Sequence, residues 1–163
     1  MRILAITAAA LLASGSVAIA APATVSVTIG PELQKKAEKT YGVRETALLA
    51  DELRKDVERA LAQSGAHEDA RVELVITDAV PNRPTFKQLG DKPGLSMDSF
   101  GVGGAAIEGR IIAADGSVTP VKYRWYETDI RQAYGDWVWS DALVTFDRFA
   151  SRLARNDVRL AQN

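Results

Sequence analysis

His67 is the only histidine among the 163 residues and there is no cysteine, so imidazole chemistry has one place to occur and thiol chemistry none. A Ser-His-Asp relay or an imidazole-rich metal site would have to use His67, yet no Gly-x-Ser-x-Gly elbow accompanies it. It follows Gly65 in a short polar link, where it reads as a solvated residue near a helix C-terminus, a position that favours a cation. Carboxylates pair at Glu68 with Asp69, Glu127 with Asp129, and Asp136 with Asp141. Such pairs hydrolyse glycosides when held about 5 to 10 Å apart in a cleft. With charged residues at an ordinary 25% of the chain, surface and capping roles are the commoner use. Gly101-Val102-Gly103-Gly104 invites a phosphate loop, but such a loop lies between a strand and a helix start, whereas Ala105 onward alternates like a strand and no Gly-Lys-Ser/Thr follows. No catalytic set, metal site or cofactor is expected.

The aromatic group Tyr123, Trp125, Tyr126, Tyr134, Trp137 and Trp139 is more distinctive. Tyr123 and Trp125 share a strand face with Val121 and read as core, while Tyr126 points the other way beside Lys122 and Arg124. Trp137 and Trp139 are read as sharing one face of a further short strand. Exposed indoles stack on sugar rings or fill partner pockets, which makes Tyr126, Trp137 and Trp139 a candidate binding surface. Arg148 and Arg152, with Arg155 and Arg159, recur along the outer side of the last helix and join that candidate surface. Asp147 and Asp157 dilute the arginines, so a solvated face competes with contact to an anionic headgroup.

These residues need a scaffold, and the chain starts with an address rather than a fold. Arg2, an apolar stretch over residues 3–12 and small residues ending in Ala18-Ile19-Ala20 form the pattern of a cleavable export leader. Cleavage is expected after Ala20, giving a periplasmic or secreted product. Ser14, Gly15 and Ser16 interrupt the apolar run too early for a spanning helix of about 20 residues, and no lipid-attachment cysteine stands at position 21, so no stable membrane anchor is expected. Residues 21–156 suit one domain without disulfides and 157–163 a frayed tail. The 20 basic and 21 acidic side chains nearly cancel, which disfavours nucleic acid as a partner.

Apolar and hydroxyl residues alternate over Val25 to Ile29 as on a half-buried strand. Residues 32–40 are Lys-rich and aperiodic and read as a loop with one helical turn after Pro31. Over residues 44–64 a helical stripe of Ala47, Ala50, Leu53, Val57, Ala60 and Leu61 ends at Gly65, which suits a left-handed helix stop. Residues 71–80 are a β-branched buried strand, and residues 82–104 a long irregular loop that forms the candidate contact surface with Tyr126, Trp137 and Trp139 nearby. Residues 105–113 and 117–128 form a hairpin. A three-residue loop ending in left-handed Gly116 pairs Ile111 with Thr119, Ile107 with Tyr123 and Ala105 with Trp125, keeping apolar side chains on one face. Ser140 is expected to cap a last helix whose inward stripe is Ala142, Phe146, Phe149, Ala150 and Leu153, fading near Asn156.

The run Gly103-Gly104-Ala105-Ala106-Ile107-Glu108-Gly109-Arg110, with Tyr123-Arg124-Trp125-Tyr126 and Trp139-Ser140-Asp141-Ala142, resembles uncharacterised Gram-negative envelope proteins. It is distantly similar to lipoprotein families of unknown function, whose lipobox cysteine is absent here. The resemblance implies an envelope α/β domain and transfers no catalytic residue. Together these readings predict an α+β, two-layer fold of about four mostly antiparallel strands against two amphipathic helices. The expected function is a non-catalytic periplasmic binding or accessory protein, with an envelope protein or a glycan as partner. A small envelope hydrolase acting on glycan or ester is the alternative.

Overall fold

The computed structural model describes residues 21–157; the expected leader and all but the first residue of the expected tail lie outside them. Thr24–Ile29 forms β1, with every second side chain turned inward. It pairs in parallel with β2, Arg71–Val80, placing Val25 beside Val72 and Val27 beside Leu74. Gly104–Ile112 (β3) then runs antiparallel to β2, and Val118–Tyr126 (β4) antiparallel to β3, in the order β1-β2-β3-β4. The hairpin has the register expected from its faces: Ile107 lies opposite Tyr123, Ala105 opposite Trp125, and Glu108 opposite Lys122. Ala113 donates its N–H to Ser117, and Gly116 closes the three-residue loop at φ +82°.

Residues 31–41 are helical, not a loop. Pro31–Lys36 (α1) continues through a π-helical turn over Ala37–Tyr41 to Gly42 at φ +99°. Leu33 and Ala37, one helical turn apart, are wholly buried, and this single i, i+4 pair anchors an otherwise Lys-rich segment to the core. Val43–Ser64 (α2) stops at left-handed Gly65, whose N–H reaches the Leu61 carbonyl at 2.9 Å. Its buried stripe is Thr46, Leu49, Leu53, Val57 and Leu61. Ala47 is exposed and Ala50 and Ala60 are only half-buried, because the helix turns its larger side chains to the sheet, where more apolar area leaves water.

Two further expectations are corrected. The loop after β2 contains a short helix, Phe86–Asp91 (α3), started by a capping box in which Thr85 and Gln88 exchange bonds. Trp137 to Trp139 is not a strand: Ile130–Gly135 is a 3-10 turn, and the chain passes directly into Ser140–Ala154 (α4). Trp139, not Ser140, occupies the cap position, and the Ser140 hydroxyl instead accepts the Trp137 N–H at 2.8 Å. The inward stripe of α4 is the expected one, Ala142, Phe146, Phe149, Ala150 and Leu153.

The result is an α+β fold: a mixed four-stranded sheet with α2 lying over β1 and α4 over β3 and β4, the two helices packed on each other. Strand alternation fills the layer between them with Val72, Leu74, Ile76, Ile107, Val121 and Tyr123. The opposite sheet face carries ion pairs, Glu73 with Arg71 and Arg110, and Glu108 with Lys122. Pro120 sits on β4, an edge strand, where the missing N–H leaves less for a foreign strand to pair with. No helix among the described residues is long and apolar enough to cross a membrane.

Candidate functional site

The sheet end where β2 leaves, β3 enters and α4 begins gathers the polar groups that the sequence scatters over sixty residues. Asn82 is 1% exposed and bonded on every side. Its N–H donates to Val138 at 2.7 Å and its carbonyl accepts from Gly101 at 2.8 Å. Its side-chain amide donates to Asp141 at 2.6 Å, to Asp136 at 3.2 Å and to the Gly101 carbonyl at 3.3 Å, and its Oδ1 accepts the Asp141 N–H at 3.0 Å. Asp141 is 6% exposed and also accepts the Gly103 N–H at 2.8 Å. A Cβ on Gly103 would lie 2.6 Å from the Val80 carbonyl and 2.7 Å from Asn82 Oδ1. Gly103 therefore serves a close approach of backbone to Asn82.

Arg83 clamps the neighbouring segments together. Its guanidinium donates to the carbonyls of Met97 at 2.8 Å and Tyr134 at 2.7 Å, and its Nε to that of Asp136, using the fixed fork of donors that arginine offers. The same guanidinium lies 6.0 Å from the centre of the Phe100 ring, which meets Tyr134 edge to face at 5.7 Å. Beside it is a recess of about 280 Å³ lined by Arg83, Gln88, Lys92, Leu95, Ser99 and Phe100.

Burial pushes the Asp136 carboxyl above the ordinary carboxylate range, and the negative charge of Asp141 adds to this while Arg83 partly opposes it. A carboxylate raised on folding is most favourable below its unfolded value, and that stability is lost as pH rises through the folded value. Asp136→Asn keeps an acceptor for Asn82 and removes the charge, so the variant should be more stable than the parent at neutral pH. Urea midpoints should converge as pH falls into the carboxylate range.

The candidate binding residues are not brought to one surface. Trp137 is 77% exposed. Trp139 does not share its face: it is half-buried against the core and meets Tyr41 edge to face at 5.7 Å. Its indole Nε1 is buried with no hydrogen-bond partner. Tyr126 is half-buried, its hydroxyl donating to Asp78 at 2.8 Å while Lys36 holds the other Asp78 oxygen at 2.7 Å. Burial, then the bond to Asp78, pushes that phenol well up. Arg148 and Arg152 lie over the rings of Trp125 and Tyr123 at 4.0 and 5.2 Å, so their guanidinium groups rest against the aromatic edge of the core.

The other chemical candidates are also placed. His67 Nε2 lies 3.3 Å from the Leu153 carbonyl, near the end of α4 rather than simply beyond α2. Glu127 accepts the N–H groups of Thr128 and Asp129, and Asp129 binds Arg131, so this carboxylate pair organises a turn. Among the described residues no three acidic or histidine side chains converge as metal ligands. The sequence reading included Asn82 and Arg83 only as part of the loop over residues 82–104 and gave neither a role of its own, because their partners Asp136, Asp141 and Tyr134 lie 50 or more positions away; the Asp136 and Asp141 pair was the one available hint. No protein-family model matches the chain, and no curated protein matches it significantly.

Proposed function

We propose that this chain is an exported, non-catalytic binding or accessory protein of the cell envelope, and that it meets an envelope protein or a glycan through the end of the sheet built on Asn82 and Arg83. The observation that carries this reading is the exposure of large rings on segments that are held in place: Phe86 at 78%, Tyr134 at 75% and Trp137 at 77%. Leu95, Met97, Phe100 and Ile130 on the same two segments are exposed as well. Fixed aromatic groups bind with little ordering cost, and they dominate the energy of interfaces. The leader pattern of residues 1–20 supports the exported part of this reading. Both oxygens of the Asp136 and Asp141 pair nearest Asn82 serve that amide, so the geometry favours a scaffold over a hydrolytic pair.

A photo-crosslinking side chain at exposed Gln132, used in intact cells, tests the protein partner, and retention on isolated cell-wall glycan tests the sugar. The double variant Tyr134→Ala, Trp137→Ala should lose capture by about thirty-fold or more, as for two interface anchors, with an unchanged melting temperature. Capture that survives this double variant, or absence of any envelope component on either probe, overturns the proposal.

A further inference from the structure

The start of the described chain is fastened in a way that export processing would strengthen. Ala21 N donates to Asp69 Oδ1 at 2.7 Å, and Asp69 returns its own N–H to the Ala21 carbonyl at 2.8 Å. Three residues later Thr24 donates to Ala70 at 2.9 Å, continuing into the β1 and β2 ladder. The receiving turn is tightly wound: Gly65, His67 and Asp69 all have left-handed backbone, at φ +65°, +58° and +57°. Glycine adopts such values freely, and Asp and His more readily than other side chains. The reciprocal pair with Ala21 holds Asp69 in that conformation.

We infer that Asp69 is the receptor for the free α-amino group of a chain that begins at Ala21. This rests on the export reading for its biological setting. In an uncleaved chain Ala21 N is a neutral amide with one hydrogen. When the Ala20–Ala21 peptide bond is hydrolysed, the hydroxyl of water goes to the Ala20 acyl carbon and its proton to the departing nitrogen, which at neutral pH takes a further proton from solvent. The product is an ammonium, and at 2.7 Å from Asp69 Oδ1 the existing hydrogen bond becomes an ion pair. Removal of the leader thus tightens the register of β1, one of the two edge strands of the sheet.

The test compares chains beginning at Ala21 with a free or an acetylated amine, the acetyl group reproducing the original peptide bond, each with Asp69 and with Asp69→Asn. Asparagine tolerates the left-handed backbone and still accepts a hydrogen bond, so only charge is removed. In the Asp69 background acetylation should lower the melting midpoint by roughly 2 °C at low ionic strength, as expected for an exposed ion pair in a domain of this size. That loss should shrink in high salt and vanish in Asp69→Asn. No loss on acetylation, or the same loss in both backgrounds, overturns the receptor. Intact mass of the protein recovered from cells checks the amine itself: a first residue other than Ala21 overturns the cleavage point, whatever the acetylation result.

Discussion

Asn82→Ala is expected to destabilise the protein by about 3 kcal/mol at neutral pH, near the upper end for a single substitution. The side chain is 1% exposed and both its donors and its acceptor are in use. Truncation leaves the Asp141 carboxylate, itself 6% exposed, with the Gly103 N–H at 2.8 Å as its remaining bond among the described residues. Hydrogen bonds to charged groups are worth about 1.5 to 3 kcal/mol, and a buried acceptor stripped of its donor adds a desolvation cost. The shared donor that lies between Asp136 and Asp141 is also lost, so the two charges then face each other with less compensation. The midpoint in urea should fall with little change in slope, since the surface exposed on unfolding is the same. Because Asn82 joins the segment carrying Phe100 to that carrying Trp137, capture of the envelope partner should fall as well. An Asn82→Ala protein as stable as the parent would show that Asp141 is satisfied elsewhere and that this polar centre is dispensable.

What the sequence disclosed followed the range of the forces involved. Strand alternation, the glycine stop of α2 and the stripe of α4 are set by neighbours within a few residues, and so is the hairpin around Gly116. All of them could be read locally. The register of β3 on β4 was legible because a three-residue loop puts Ile107 opposite Tyr123 and keeps the apolar side chains on one face. Residues 32–40 misled because two apolar side chains, Leu33 and Ala37, suffice to anchor α1 and the π-helical turn after it when a sheet is waiting for them. Trp137 and Trp139 misled because two residues apart means one face only on a strand, and here the backbone is turning into α4. The polar centre was illegible for a different reason. Asn82 meets Asp141 across 59 positions and Arg83 meets Tyr134 across 51, and no local pattern encodes such a pairing. The exposed rings were visible as residues, but which of them the fold would leave outside depended on that same pairing.

Gly109→Ala is expected to cost about 3 kcal/mol or more, although it adds a single methyl group. Gly109 lies in the middle of β3, opposite Leu74 on β2 and Val121 on β4. A Cβ there would press on the Glu73 carbonyl and come within 2.9 Å of Leu74 Cδ2 and 3.0 Å of Leu74 Cα. The obstacle is mainly backbone, and β2 is held by β1 on one side and β3 on the other, so it cannot step aside without breaking ladder bonds. Other glycines separate this steric cause from the general entropy of glycine. Gly116→Ala meets nothing within 4 Å but must adopt φ +82°, which costs about 1 to 2 kcal/mol. Gly90→Ala, in α3 with open space around it, should be neutral or stabilising by up to about 1 kcal/mol, as alanine is the better helix former. Denaturant midpoints should therefore rank Gly109→Ala lowest, Gly116→Ala next and Gly90→Ala at or above the parent. If Gly109→Ala instead melts with Gly116→Ala, β2 and β3 can separate at that point at small cost, and the sheet end that carries Asn82 and the exposed rings is less firmly mounted than its hydrogen bonds imply.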